Sequence, residues 1–170
     1  MSRRLIYIVA GAIGALIVLA MPAYSAKPTY TARGTIDAYV GVWSSEITWG
    51  RWQVELRDGE IDYQAKFIEK NLDAEIEDSP DGLTYTFWHS FTAEGYSLEG
   101  DTIWFWGTLH VEKLWSRLDG GTEKVSWDIN PVVITVDSLS FYLDVPPHEA
   151  GPGWFDQDWD RVGTTEEIKQ

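Results

Sequence analysis

Arg51–Phe67, RWQVELRDGEIDYQAKF, decides the fold class. Trp52, Val54 and Leu56 form one apolar stripe and Ile61, Tyr63, Ala65 and Phe67 another, with polar residues alternating between them. That period of two puts every second side chain on one face of a strand. Asp58-Gly59 separates the stripes. An Asp-Gly pair between alternating apolar residues is a hairpin signal, because glycine takes a positive φ without strain. The stretch therefore predicts two antiparallel strands joined by a tight turn.

The same alternation extends in both directions. Ile36, Ala38, Val40 and Val42 alternate with Thr35, Asp37, Tyr39 and Gly41, and Leu83, Tyr85, Phe87, His89 and Phe91 form an inward stripe. Gly100-Asp101 reads as a turn into DTIWFWGTLHVEKLW (Asp101–Trp115). Val125, Trp127 and Ile129 follow, then Val132, Ile134 and Val136, a turn at Asp137-Ser138, and Leu139, Phe141, Leu143 and Val145. The polar stretch Glu69–Gly82 reads as a loop. About eight or nine strands joined mostly by short turns, without a long helical stretch, predict an all-β protein: a single antiparallel β-barrel or β-sandwich domain.

The N-terminus differs from the rest. A basic MSRR precedes an uninterrupted apolar run, Leu5–Met21, then Pro22 and the small residues of AYSA. This is the layout of a signal peptide covering residues 1–25, cut after Ser25. The run is also long enough to span a bilayer, so an uncleaved anchor is the alternative. Either way the β domain, residues 26–145, is expected outside the cytoplasm, secreted or anchored. Residues 146–170 form a Pro/Gly-rich acidic C-terminal segment expected to pack on that domain.

The formal net charge is −14, and two of the 13 basic residues, Arg3 and Arg4, lie in the leader. Nucleic-acid binding needs a basic footprint and is excluded. Contact with anionic lipid is disfavoured too, leaving the N-terminal segment as the membrane contact if it is not removed. Without cysteine, disulfides, thiol catalysis, thiolate metal sites and lipidation of a leader cysteine are all excluded.

The stretch at 101–115 is apolar on both faces in its first half. Ile103, Phe105, Leu109 and Val111 ride with the core stripe, whereas Trp104 and Trp106 ride with His110 and Glu112. Sorted by parity, Trp43, Trp88, Trp104, Trp106 and Tyr142 all fall on the polar face. Trp104 and Trp106 stand about 6.8 Å apart on one side of a strand, at ~3.4 Å per residue. Either they present a platform to a sugar or another apolar ligand, or the C-terminal segment covers them with Trp154, Phe155 and Trp159. A bulge that reverses the parity is a third reading.

The candidate ligand-binding residues are thus Trp104, Trp106, Trp88 and Trp43, with His110 and Glu112 beside them as a pair suited to acid–base or metal chemistry. His89 points inward and would be the most polar lining group of any internal cavity. Asp156, Asp158 and Asp160 alternate, and Glu167 falls at the twelfth place counted from Asp156. Alternating carboxylates closed by a glutamate suit calcium, in a pattern resembling an EF-hand loop, although Arg161 occupies the place that needs glycine. The acidic stretch Asp73–Asp81 is a vaguer calcium candidate. No other cofactor is expected.

Gly41-Val42-Trp43 resembles the G-x-W of lipocalins and related barrels. There the motif opens the first strand, and the resemblance implies a barrel that holds a ligand. The function expected is an exported or cell-surface, non-catalytic binding protein for carbohydrate or a small apolar ligand. The alternatives are a small secreted hydrolase using paired carboxylates and a structural cell-envelope protein. The partner is an unknown ligand or an envelope component.

Overall fold

The structure is a computed structural model that describes residues 27–41, 45–71, 84–116, 121–151, 154–156 and 159–170. The expected leader, Trp43, Asp158 and the acidic stretch 73–81 lie outside the described residues.

The strands are β1 (Tyr30–Gly41), β2 (Ser45–Arg57), β3 (Glu60–Asn71), β4 (Thr84–Glu99), β5 (Thr102–Ser116), β6 (Thr122–Val136), β7 (Ser140–Asp144), β8 (His148–Gly151), β9 (Trp154–Asp156) and β10 (Trp159–Lys169). Eight of them close into an antiparallel barrel, in the order β1-β10-β7-β6-β5-β4-β3-β2. Neighbours in sequence are neighbours in space, and β10 closes the wall between β7 and β1. The choice between barrel and sandwich is thereby resolved in favour of the barrel. β8 and β9 pair only with each other.

Tight turns fix the meander at one end. Asp58 (φ 53°) and Gly59 (φ 82°) both lie in the left-handed region between β2 and β3, the geometry that matches the twist of two adjoining strands. Between β6 and β7, Asp137 Oδ1 accepts the Leu139 and Ser140 amides, each at 2.7 Å, and Oδ2 accepts the Ser140 hydroxyl at 2.7 Å. The longer connections all lie at the opposite end.

The inward stripes fill the barrel with rings. Trp52 stacks on Phe141 at 4.9 Å, Phe67 on Phe87 at 4.8 Å, and Phe91 meets Phe105 edge-on at 5.1 Å. A barrel of eight strands is just wide enough for side chains to occupy its interior. Phe87, His89 and Phe105 all belong to this buried inward set. Trp127, half-buried, donates its Nε1–H to His148 Nε2 at 3.1 Å, which ties β8 to β6.

Beyond smaller irregularities in β2 and β4, three features depart from the simple alternation. In β1, Ile36 faces Gly163 and Ala38 faces Val162, so Asp37 is an extra residue. A bulge of this kind reverses which side chains face inward. Tyr39 accordingly packs against the core and Val40 is exposed. In β6, Asn130-Pro131, joined by a cis peptide bond, bulges opposite Thr108. Proline is tolerated there because a bulge needs no ladder hydrogen bond from it. The largest departure concerns residues 146–170. The end of that segment, expected to lie over the domain, is instead strand β10 of the wall, held by β1 on one side and β7 on the other.

A candidate functional site on the outer wall

Cross-strand register builds the site. On β5 the outward residues are Trp104, Trp106, Thr108, His110 and Glu112. Trp88 of β4 faces Glu112 and Ser90 faces His110. On β3, Lys66 faces Trp88 and Gln64 faces Ser90; on β2, Arg51 faces Lys66 and Gln53 faces Gln64. These two transverse rows line a groove of about 520 Å³. Trp88, His110 and Glu112 are therefore brought together as expected.

The charged side chains of the groove are mostly paired. His110 Nδ1 lies 2.6 Å from Asp128 Oδ1, Lys124 Nζ 2.7 Å from Glu112, and Arg51 2.5 Å from Glu166. Lys66 and Lys124 sit near the Trp88 ring, 5.2 and 5.9 Å from its centre. Exposed pairs of this kind contribute only about 0–1 kcal/mol each to stability. Their consequence is local neutrality around an indole on an otherwise acidic surface.

Trp104 and Trp106 belong to a different patch. Trp106 faces Val133 and Trp104 faces Thr135, which in turn faces Tyr142. Trp106, Val133 and Tyr142 are each about 40% exposed. The Trp106 indole lies over Gly95, where a Cβ would overlap the ring; glycine at that place is what lets the ring lie flat. Six residues separate Trp106 from Glu112, about 20 Å of strand at ~3.3 Å per residue. Between the two patches, bulges in β4 and β6 flank Thr108. Asn130 Nδ2 donates there to Glu94 (2.6 Å) and to Thr108 Oγ1 (2.7 Å), a polar bridge across β5. One aromatic face was expected, and the structure divides it in two.

The calcium candidates do not converge. Asp160 accepts the Tyr142 hydroxyl at 2.5 Å. Glu167 is held by Arg33 and Lys169, each at 2.7 Å, and its carboxyl lies below the usual range, chiefly through the Lys169 hydrogen bond. The two acids are seven residues apart on one extended strand, about 23 Å at ~3.3 Å per residue, so no single ion reaches both. The EF-hand-like reading assumed a bent loop, whereas pairing with β1 and β7 draws the segment straight. Asp156 belongs to β9, outside the barrel. Among the described residues no cluster of three or more His, Asp or Glu is arranged to hold a metal.

Inside the barrel, toward the long connections, lies a polar cluster that alternation alone did not announce. Arg161 donates to Glu69 at 2.6 Å with both side chains buried. Lys113, also buried, lies 4.1 Å from the Tyr85 ring centre. His89 is buried as expected, its ring edge-on to Phe67 at 4.9 Å; burial, and secondarily the Arg161 charge, push its pKa down to about 3. Desolvation disfavours the charged form, so burial holds this imidazole neutral. Glu69 and Arg161 are 92 positions apart, so no local pattern could have linked them.

The Gly41 of the lipocalin-like triplet ends β1 instead of opening a strand, and its Val42 and Trp43 lie outside the described residues. Comparisons with protein-family models, with curated proteins and with solved structures return no match for this chain.

Proposed function

We propose that the protein is an extracytoplasmic binding module that takes carbohydrate in the outer-wall groove around Trp88. The observation that carries this reading is an indole set in a concave, locally neutral surface ringed by amide, hydroxyl and imidazole groups. An indole offers a flat apolar face and a wet rim, which suits the C–H face of a sugar ring. Gln53, Gln64, Ser90 and His110 supply donors and acceptors at hydroxyl height. Arg51, Lys124 and His110 already have carboxylate partners, and the surrounding acidic surface repels polyanions at long range. A neutral, polyhydroxylated ligand is the class that fits. Placement outside the cytoplasm rests on the basic, apolar and small-residue order of the first 26 positions.

Affinity electrophoresis of the full chain through gels containing neutral or anionic polysaccharides tests the proposal. Retardation by at least one neutral polysaccharide is expected, with Trp88→Ala weakening it about tenfold, the worth of one good ring contact. Indifference to every neutral polysaccharide, or a Trp88→Ala protein that migrates as the wild type does, would overturn it.

A further inference from the structure

The groove contains an arrangement that sugar binding does not need. One row of outward residues crosses four adjacent strands: Gln64 on β3, Ser90 on β4, His110 on β5 and Asp128 on β6, each directly opposite the next. Asp128 Oδ1 lies 2.6 Å from His110 Nδ1. A carboxylate only accepts hydrogen bonds, so Nδ1 carries a proton, and in the neutral imidazole Nε2 is the nitrogen with the lone pair. With Nδ1 turned toward β6, Nε2 is on the side of the ring away from β6, and β4 is the neighbour on that side. Ser90 stands there. Directly opposed residues on one face have Cβ atoms about 4.5–5.5 Å apart; the Ser90 and His110 side chains are not hydrogen-bonded to each other among the described residues, and bound substrate is what closes that contact. Ser90 and His110 both line the groove.

We propose that Ser90, His110 and Asp128 form a hydrolytic relay that cleaves acyl esters bound in this groove. Ser90 Oγ attacks the ester carbonyl carbon while His110 Nε2 takes its proton. The tetrahedral adduct collapses, the carbon–alkoxy bond breaks, and His110 returns the proton to the departing alkoxide, releasing an alcohol. Water then attacks the acyl-serine with His110 again as base, the bond from the carbonyl carbon to Oγ breaks, His110 returns the proton to Ser90 Oγ, and a carboxylic acid leaves. Asp128 is a positioning residue: it fixes the tautomer and orientation of His110. The Gln64 amide, next in the row beyond Ser90, is the donor for the oxyanion, and Trp88 in the adjoining row is a wall for the alcohol part.

Exposure selects the substrate class. The His110 and Asp128 side chains are 46% and 66% exposed, so water screens the oxyanion contact relative to a dry site. Esters, with better leaving groups than amides, are the matching class. The inference goes beyond carbohydrate binding and does not depend on it, because an ester without a sugar tests it.

The full chain is assayed with p-nitrophenyl acetate and labelled with a fluorophosphonate probe whose adduct is located by mass spectrometry. The expected result is an adduct on Ser90 and a loss of about 100-fold in kcat for Ser90→Ala, with unchanged circular dichroism. Asp128→Asn should lower kcat at constant KM and alter the pH profile, which a merely structural role would not do. Hydrolysis at the wild-type rate by Ser90→Ala, an adduct on other residues, or no adduct at all would each overturn the proposal.

Discussion

The two halves of the barrel interior follow the same alternation and are filled by opposite means. Toward the tight turns, Tyr30, Leu56, Ile103 and Val136 are all buried and bring little polarity. Toward the long connections, Glu69, His89, Lys113 and Arg161 are buried among Phe67, Tyr85 and Phe87. Each apolar side chain of the first half contributes about 1.5–3 kcal/mol by leaving water, with no directional partner required. The second half is stable only while its charges face one another, because removing one partner strands the other in a medium that solvates it poorly. Stability is distributed at the turn end and concentrated in the Arg161–Glu69 contact at the other.

The largest test of this contrast is Glu69→Leu. Taking the carboxylate from Arg161 is expected to cost about 3–5 kcal/mol, and pairing the change with Arg161→Leu should recover most of it. Urea midpoints of wild type, both single variants and the double variant form the cycle; a Glu69→Leu protein as stable as wild type would erase the distinction between the halves.

Acid should act on the same half next. The folded pKa of His89 is about 3, against roughly 6.5 for an unfolded histidine. Between those values the unfolded chain binds the extra proton. The stability contributed is therefore complete above about pH 6.5 and falls with pH at up to ~1.4 kcal/mol per unit. From pH 7 to pH 5 the wild type should lose about 2 kcal/mol more than His89→Leu, and parallel losses in the two proteins would refute the assignment.

The smallest effect belongs to the turn end. Asp137 is held below the usual carboxylate range, first by the Ser140 hydroxyl and then by the Leu139 amide. Its contribution is present above the unfolded carboxylate value and lost as pH falls through the lowered folded one. Asp137→Ala should cost about 1 kcal/mol at pH 7, and the gap in thermal midpoint should close in strong acid. A gap that persists there would assign the loss to backbone geometry and not to charge.

Most of the wall was legible in the sequence because strand parity is a local property. Trp52, Tyr63, Phe67, Phe87, Phe105 and Phe141 were sorted inward, and Trp88, Trp104, Trp106 and Tyr142 outward, by counting in twos. Parity fails where a residue is inserted, which is why Val40 was assigned to the core and Tyr39 was not. It fails again in β10, where Arg161 faces in and the run Gly163–Glu167 has no apolar residue to mark an inward face; pairing with β1 and β7 sets the strand. The candidate site was half legible. Trp88, His110 and Glu112 were named, but their grouping with Ser90, Gln64 and Asp128 depends on register between strands, and no stretch of sequence records it.

Closure by β10 also imposes an order of events on the growing chain. Thr31 pairs with Glu55 of the adjoining β2 and with Lys169 of the distant β10. Thr31 and Lys169 close a loop about six times longer than Thr31 and Glu55 do, which costs about 1.5 kcal/mol more chain entropy, and β10 is the last of the barrel's strands to be synthesised. Until it emerges, one edge of β1 and one edge of β7 are bare, and a nascent chain holds hairpins without a barrel. For a polypeptide exported through a narrow channel, as proposed above, that delay keeps the chain threadable until the strand that closes the barrel has passed.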